Sequence, residues 1–204
     1  MQLLYLHGFA SGPQSTKAAA FARRLPGLAC LDLRLPSMEH LRLSAMIDAV
    51  RAAIAGDCAI IGSSLGGLTA ARVAERDPRV KRLVLLAPAF GIAARWQESL
   101  GDAWHTWRDT GWHEVHDYRT GGTARVDFGF WEDVRRVDVG PPEVRVPTLI
   151  FHGVRDDVVP VAGSRAFAAG RADVTLVELD DDHQLVASLP ALLDGTAALL
   201  AGSS

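Results

Sequence analysis

Gly62-Ser63-Ser64-Leu65-Gly66-Gly67 constrains this chain more than any other stretch. It follows a short apolar run, Cys58-Ala59-Ile60-Ile61, and opens a helix-like stretch from Leu65 to Arg76. A glycine-flanked serine between a strand and a helix sits on a turn so tight that the serine backbone is strained. The neighbours two positions away on either side, Gly62 and Gly66, must then be almost free of side chain. Such a turn lifts the Ser64 hydroxyl out at the strand end. The first amides of the next helix lie beside it, where developing negative charge is favoured.

The motif gains weight from residues further along the chain, because an acid and then a histidine are needed in that order. Pro147-Thr148-Leu149-Ile150-Phe151 reads as a buried strand and runs into His152-Gly153-Val154-Arg155-Asp156-Asp157-Val158-Val159-Pro160. Val174 to Leu179 reads as another strand and leads into Asp180-Asp181-Asp182-His183-Gln184. Each candidate lies just after a strand, where parallel sheets gather their ligand sites.

These placements assign expected roles. Ser64 is the nucleophile and needs an adjacent base, since a free hydroxyl attacks poorly near neutral pH. His183 is the base, the one histidine of seven that follows the last strand. His7 and His152 each precede a glycine at a strand end and are expected to shape loops. Asp156 is favoured over Asp157 as the orienting acid, because it stands four residues after His152 in an H-G-x-x-D pattern. Asp180 to Asp182 are expected to be solvated loop acids. The oxyanion hole is expected from two backbone N–H groups, those of Leu65 and of Phe9 in His7-Gly8-Phe9-Ala10.

Apolar strand runs alternate with amphipathic helical runs. The expected elements are a strand over 3–6, a helix over 17–25, a strand over 28–33 and a helix over 43–54. A strand over 80–86 follows the elbow helix, and Ser188-Leu189-Pro190 starts a C-terminal helix. Continuous apolar strands with helices between them predict an α/β fold, a mostly parallel sheet of about six strands covered on both faces. With 204 residues and 49% apolar content, a single domain over 1–204 is expected.

The stretch from Pro88 to Val146 breaks the alternation and is too long for a structureless loop. It is expected to be a small cap insertion, about 89–146, and it holds all five tryptophans. Trp112 to Tyr118 and Thr123 to Phe128 read as a hairpin joined through Gly121-Gly122. A short helix carrying Phe130, Val134 and Val137 follows. Large aromatics dominate any small core, so most of the tryptophans are expected to fasten the insertion. Trp96, Trp104, Trp107 and Trp112 are the candidates to line a substrate pocket.

A net charge of -3 gives no sign of a nucleic-acid or anionic-membrane partner. No apolar run approaches the ~18–20 residues that span a bilayer. The first residues lack a basic region and a cleavage-site pattern, so cytoplasmic residence is the default expectation. Cys30 and Cys58 fall in strand-like runs and are expected as buried free thiols. The acids and histidines lack ligand spacing on one element, so no metal and no cofactor is expected.

With these motifs in place, the chain resembles the α/β-hydrolase superfamily over essentially its whole length, beginning at the third strand of the full fold. Tyr5-Leu6-His7-Gly8-Phe9-Ala10-Ser11-Gly12-Pro13-Gln14-Ser15-Thr16-Lys17-Ala18 is similar to the opening of small bacterial YqiA-type esterases. The Ser64, Asp156 and His183 motifs, and Val126-Asp127-Phe128-Gly129-Phe130, resemble the mitochondrial acyl-protein thioesterase of the abhydrolase-domain group. The resemblance implies hydrolysis of small-molecule esters or acyl thioesters, with Ser64, Asp156 and His183 as triad and Phe9 and Leu65 as oxyanion donors.

Two other classes compete. A peptidase or amidase on the same fold needs a site for extended peptide, and nothing in the insertion signals one. A non-catalytic binding scaffold usually lacks the serine or the histidine, and both are present here. A serine elbow also disfavours dehalogenase and epoxide hydrolase chemistry, which uses aspartate there. The acyl chain, the leaving group and the oligomeric state are left open.

Overall fold

A computed structural model describes residues 1–202; Ser203 and Ser204, the last two of the expected 1–204 span, lie outside the described residues. The chain runs β1 (Gln2–Leu6), α1 (Thr16–Arg24), β2 (Leu28–Leu31), α2 (Leu43–Ala53), β3 (Cys58–Ser63), α3 (Leu65–Ala74) and β4 (Val80–Leu86). Then come α4 (Ile92–Leu100), α5 (Asp102–Thr110), β5 (Trp112–Asp117), β6 (Gly122–Asp127) and α6 (Gly129–Val137). The alternation resumes with β7 (Thr148–Gly153), α7 (Ala162–Ala168), β8 (Val174–Leu179) and α8 (Leu189–Ala201).

Six strands form one sheet in the order β2-β1-β3-β4-β7-β8, and every neighbouring pair is parallel. Period-two alternation splits the strand side chains between two apolar cores. Leu4, Leu6, Ile60, Leu83, Leu85 and Ile150 face the core shared with α2, α3 and α6. Tyr5, Ile61, Val84, Leu86 and Phe151 face the opposite core, which Phe21 of α1 and Leu192 of α8 close. Burial on both faces explains why these strands read as continuous apolar runs.

The chain goes from β1 outward to β2 and then returns to the other side of β1 as β3. Connections leaving β1 and β3 therefore diverge to opposite faces, and a crevice opens between their C-terminal ends. The loop after β1 and the turn after β3 meet there.

Between β4 and β7, α4, α5 and α6 surround a separate two-stranded antiparallel hairpin of β5 and β6. This segment is tied to the sheet domain by polar clamps. Arg42 donates to both oxygens of Asp127, at 2.7 and 2.9 Å. Asp133 of α6 accepts from the Ser44 amide and hydroxyl, serving the start of α2, which lacks a cap from its own Arg42 side chain. Buried Arg72 of α3 donates to Asp138 at 2.7 Å and to the carbonyls of Val139 and Gly140, fastening the chain as it leaves α6.

Candidate active site

Ser64 joins β3 to α3 with φ 54° and ψ -115°, a left-handed backbone that costs a serine strain. Its surroundings hold it there. The Ser64 amide donates to the Leu86 carbonyl at 2.8 Å, and its own carbonyl accepts from Gly67, Leu68 and Ala89. A Cβ on Gly62 would overlap the Gly66 carbonyl, and one on Gly66 would overlap the carbonyls of Leu6 and His7. The glycines thus let β1, β3 and α3 converge on one point.

Three side chains line up there. The Ser64 hydroxyl donates to His183 Nε2 at 3.1 Å, and His183 Nδ1–H donates to Asp156 Oδ2 at 2.7 Å. Asp156 Oδ1 accepts from the amides of Val158, at 3.0 Å, and Val159, at 2.7 Å. His152 Nε2 lies 3.2 Å from Asp156 Oδ2 while donating to the Val159 carbonyl, and its Nδ1 accepts from the Ser164 hydroxyl. Burial acts to raise the Asp156 carboxyl. The hydrogen bonds from His152, His183 and Val159 outweigh it and hold the group well below the usual carboxylate range. Asp157 is exposed.

The loop after β1 runs against the serine: a Cβ on Gly8 would come within 3.3 Å of Ser64 Cβ. His7 shapes that loop, donating through Nδ1 to the Gly8 carbonyl and accepting the Leu33 amide at Nε2, 2.9 Å away. Leu65 is the first residue of α3, so its N–H has no acceptor within the helix. No backbone acceptor among the described residues takes the Phe9 N–H. Its ring, by contrast, is well held, packing against Trp96 and Phe130.

A cavity of about 420 Å³ opens over Ser64 and His183. Phe9, Ile92, Trp96, Tyr118 and Val186 supply apolar wall, and Lys17 and Arg95 are its lysine and arginine. Among the described residues, no group of three or more His, Cys, Asp or Glu is arranged to hold a metal ion.

The sequence matches the model of Uncharacterised protein family UPF0227 over residues 2–193. The chain belongs to that family. This family member is 27% identical to pimeloyl-[acyl-carrier protein] methyl ester esterase of Aromatoleum aromaticum, with 88% of this chain and 89% of that protein covered. Its fold is that of mouse alpha/beta hydrolase domain-containing protein 10, with a TM-score of 0.79 at 20% identity, covering 98% and 89% of the two chains. Est1E from Butyrivibrio proteoclasticus superposes with a TM-score of 0.73 at 21% identity, covering 98% and 88%. The fold is that of the α/β-hydrolase superfamily.

In this UPF0227 member, Ser64, Asp156 and His183 come together, with Phe9 and Leu65 beside them. Of the four tryptophans expected as pocket candidates, only Trp96 lines the cavity. Trp104 is buried against Phe128 and Trp131. Trp107 is buried against Trp96 and Phe128 and donates to the Val126 carbonyl at 3.0 Å. Trp112 lies on the hairpin beneath the Arg125 guanidinium and beside His40. A small segment with its own core consumes its large aromatics internally. Asp181 also differs from expectation. It is buried, not solvated, and accepts from the amides of Asp182 and Ser188, which sets the loop around His183. Arg95 lies in no motif, and Lys17 stands in the opening stretch without an expected role; only the fold brings their elements to one cavity.

Proposed function

We propose that this protein is a cofactor-free serine hydrolase that cleaves carboxylic esters or acyl thioesters of small molecules through an acyl-enzyme. The observation that carries the reading is the continuous line from Ser64 Oγ through His183 to buried Asp156. His183 Nε2 takes the hydroxyl proton as Ser64 Oγ attacks the substrate carbonyl carbon. The N–H groups of Leu65 and Phe9 receive the oxyanion, and collapse of the tetrahedral intermediate expels the alcohol or thiol, protonated by His183. Water then enters by the reverse sequence and frees the acid. Asp156 fixes the imidazole tautomer and favours its charged form.

The 89–146 segment acts as a cap in this reading, with Trp96 on the pocket wall. The curated relative in Aromatoleum aromaticum is an esterase by name, which agrees with ester chemistry here. Cytoplasmic residence belongs to the same proposal and fits two unpaired cysteines. The test is release of nitrophenol from para-nitrophenyl butyrate, with labelling by a fluorophosphonate probe. Ser64→Ala is expected to abolish labelling and lower turnover by about 10⁴- to 10⁶-fold. Inertness of the wild-type protein toward both reagents would overturn the reading.

A further inference from the structure

The chain carries a net charge of -3, yet the wall of the cavity over Ser64 contains no aspartate or glutamate among the described residues. Its charged lining side chains are Lys17, at the start of α1, and Arg95, on α4. Neither makes an ion pair among the described residues. Lys17 Nζ donates only to the Gln184 carbonyl, at 2.6 Å. Arg95 Nη1 donates to the Val158 carbonyl at 3.0 Å. Its Nε and Nη2 are buried and meet no acceptor.

Which donors are open decides the chemistry. Nε–H and Nη2–H form one edge of the guanidinium plane, with two parallel N–H bonds spaced to match the oxygens of a carboxylate. Asp156 and Asp138 attract Arg95 through space but do not pair with it. Asp156 is engaged by His183, and Asp138 by Arg72. Two buried guanidinium donors left open on a half-buried arginine are costly unless an acceptor meets them, and an anion suits their charge. A second cation on the same wall strengthens the local positive potential.

We propose that Arg95, assisted by Lys17, binds a carboxylate carried by the substrate, so that the site selects anionic esters over neutral ones. This rests on the hydrolase reading and adds the substrate class to it. The carboxylate can belong to the acyl part or to the leaving group, and paired substrates separate the two. The acyl pair is para-nitrophenyl hemiglutarate against para-nitrophenyl hexanoate. The leaving-group pair is para-acetoxybenzoate against para-acetoxybenzamide. In one pair at least, kcat/KM for the anion is expected to exceed that for the neutral ester by tenfold or more. Arg95→Gln is expected to reduce that ratio by tenfold or more. Arg95→Lys, which keeps a donor for the Val158 carbonyl, restores only part of it because lysine lacks the fork. A wild-type ratio at or below unity in both pairs, or a ratio unmoved by Arg95→Gln, overturns the proposal. Calorimetric binding of the two anionic esters to the Ser64→Ala protein keeps the questions apart. Arg95-dependent binding without wild-type turnover would overturn the hydrolase reading alone. Ser64-dependent turnover without anion preference would overturn the carboxylate site alone.

Discussion

The rings of Phe9 and Phe130 stack with their planes 1° apart and their centroids 5.7 Å apart. One residue belongs to the loop beside Ser64, the other to α6 of the inserted segment. The stack joins the position of the Phe9 amide to the packing of residues far along the chain. Trp96 meets both rings edge-on and completes the contact.

Phe130→Leu keeps apolar volume at a fully buried site but removes the stacking face. With the Phe9 amide less firmly placed, kcat for para-nitrophenyl butyrate is expected to fall about tenfold, below the ~10²–10³ loss for a missing oxyanion donor. KM should change little, because the lost interaction strengthens only in the transition state. Steady-state kinetics test this, and a change confined to KM would contradict it.

Trp96 and Trp104 should separate in their effects. Trp96→Ala enlarges the cavity, so the rate on octanoate relative to butyrate esters is expected to rise about tenfold. Trp104→Ala opens a hole inside the inserted segment and is expected to cost about 3–5 kcal/mol in urea unfolding while leaving the chain-length profile alone. The reverse pattern would mean that the pocket lies elsewhere.

Arg72 and Asp138 have side chains 3% and 2% exposed and form a buried pair between α3 and the exit of α6. Arg72→Ala leaves Asp138 charged without its partner and is expected to cost about 3–5 kcal/mol. Arg72→Met with Asp138→Leu, which removes both charges, should recover much of that loss. Chemical denaturation of the single and double variants measures the difference.

Burial pushes the Lys17 ammonium down to about 8, against the pull of Asp182, Asp156 and Asp181. The charged form is the protonated one, so its positive charge leaves the cavity wall as pH rises through about 8. The rate ratio of carboxylate to neutral ester should therefore decline between about pH 7 and 9. Taking the ratio cancels effects common to both esters. In Lys17→Met the decline should be absent, and a ratio that falls equally in both proteins would assign it to another group.

The elbow was legible because its requirements are local. Only Gly62 and Gly66 allow three backbones to meet at Ser64, and chain order then pointed to Asp156 and His183. The parallel sheet was legible because strands buried on both faces must be apolar throughout. By contrast, α7 escaped notice, since its seven residues are too few to display a period. Its existence still follows from β7 and β8 being parallel neighbours, which need a crossover between them. Trp104, Trp107 and Trp112 stood as candidates beside Trp96 because sequence does not say which aromatic meets core and which meets cavity. That depends on what packs opposite, and α6 and the hairpin claim Trp104 and Trp107. Arg95 and Lys17 leave no trace in spacing at all.

Ser64 and His183 stand 119 residues apart, and His183 follows the edge strand β8. A growing chain that has emerged only as far as β7 already contains the elbow sequence around Ser64. It does not yet contain His183, the proposed base, whose loop follows β8 where that strand pairs along β7 and the Val154 and Arg155 amides meet the carbonyls of Leu179 and Asp181. In the proposed mechanism, Ser64 would therefore gain its base only with the last pairing in the sheet. A probe that labels activated serines would report, in a series of stalled chains, the moment at which this edge closes.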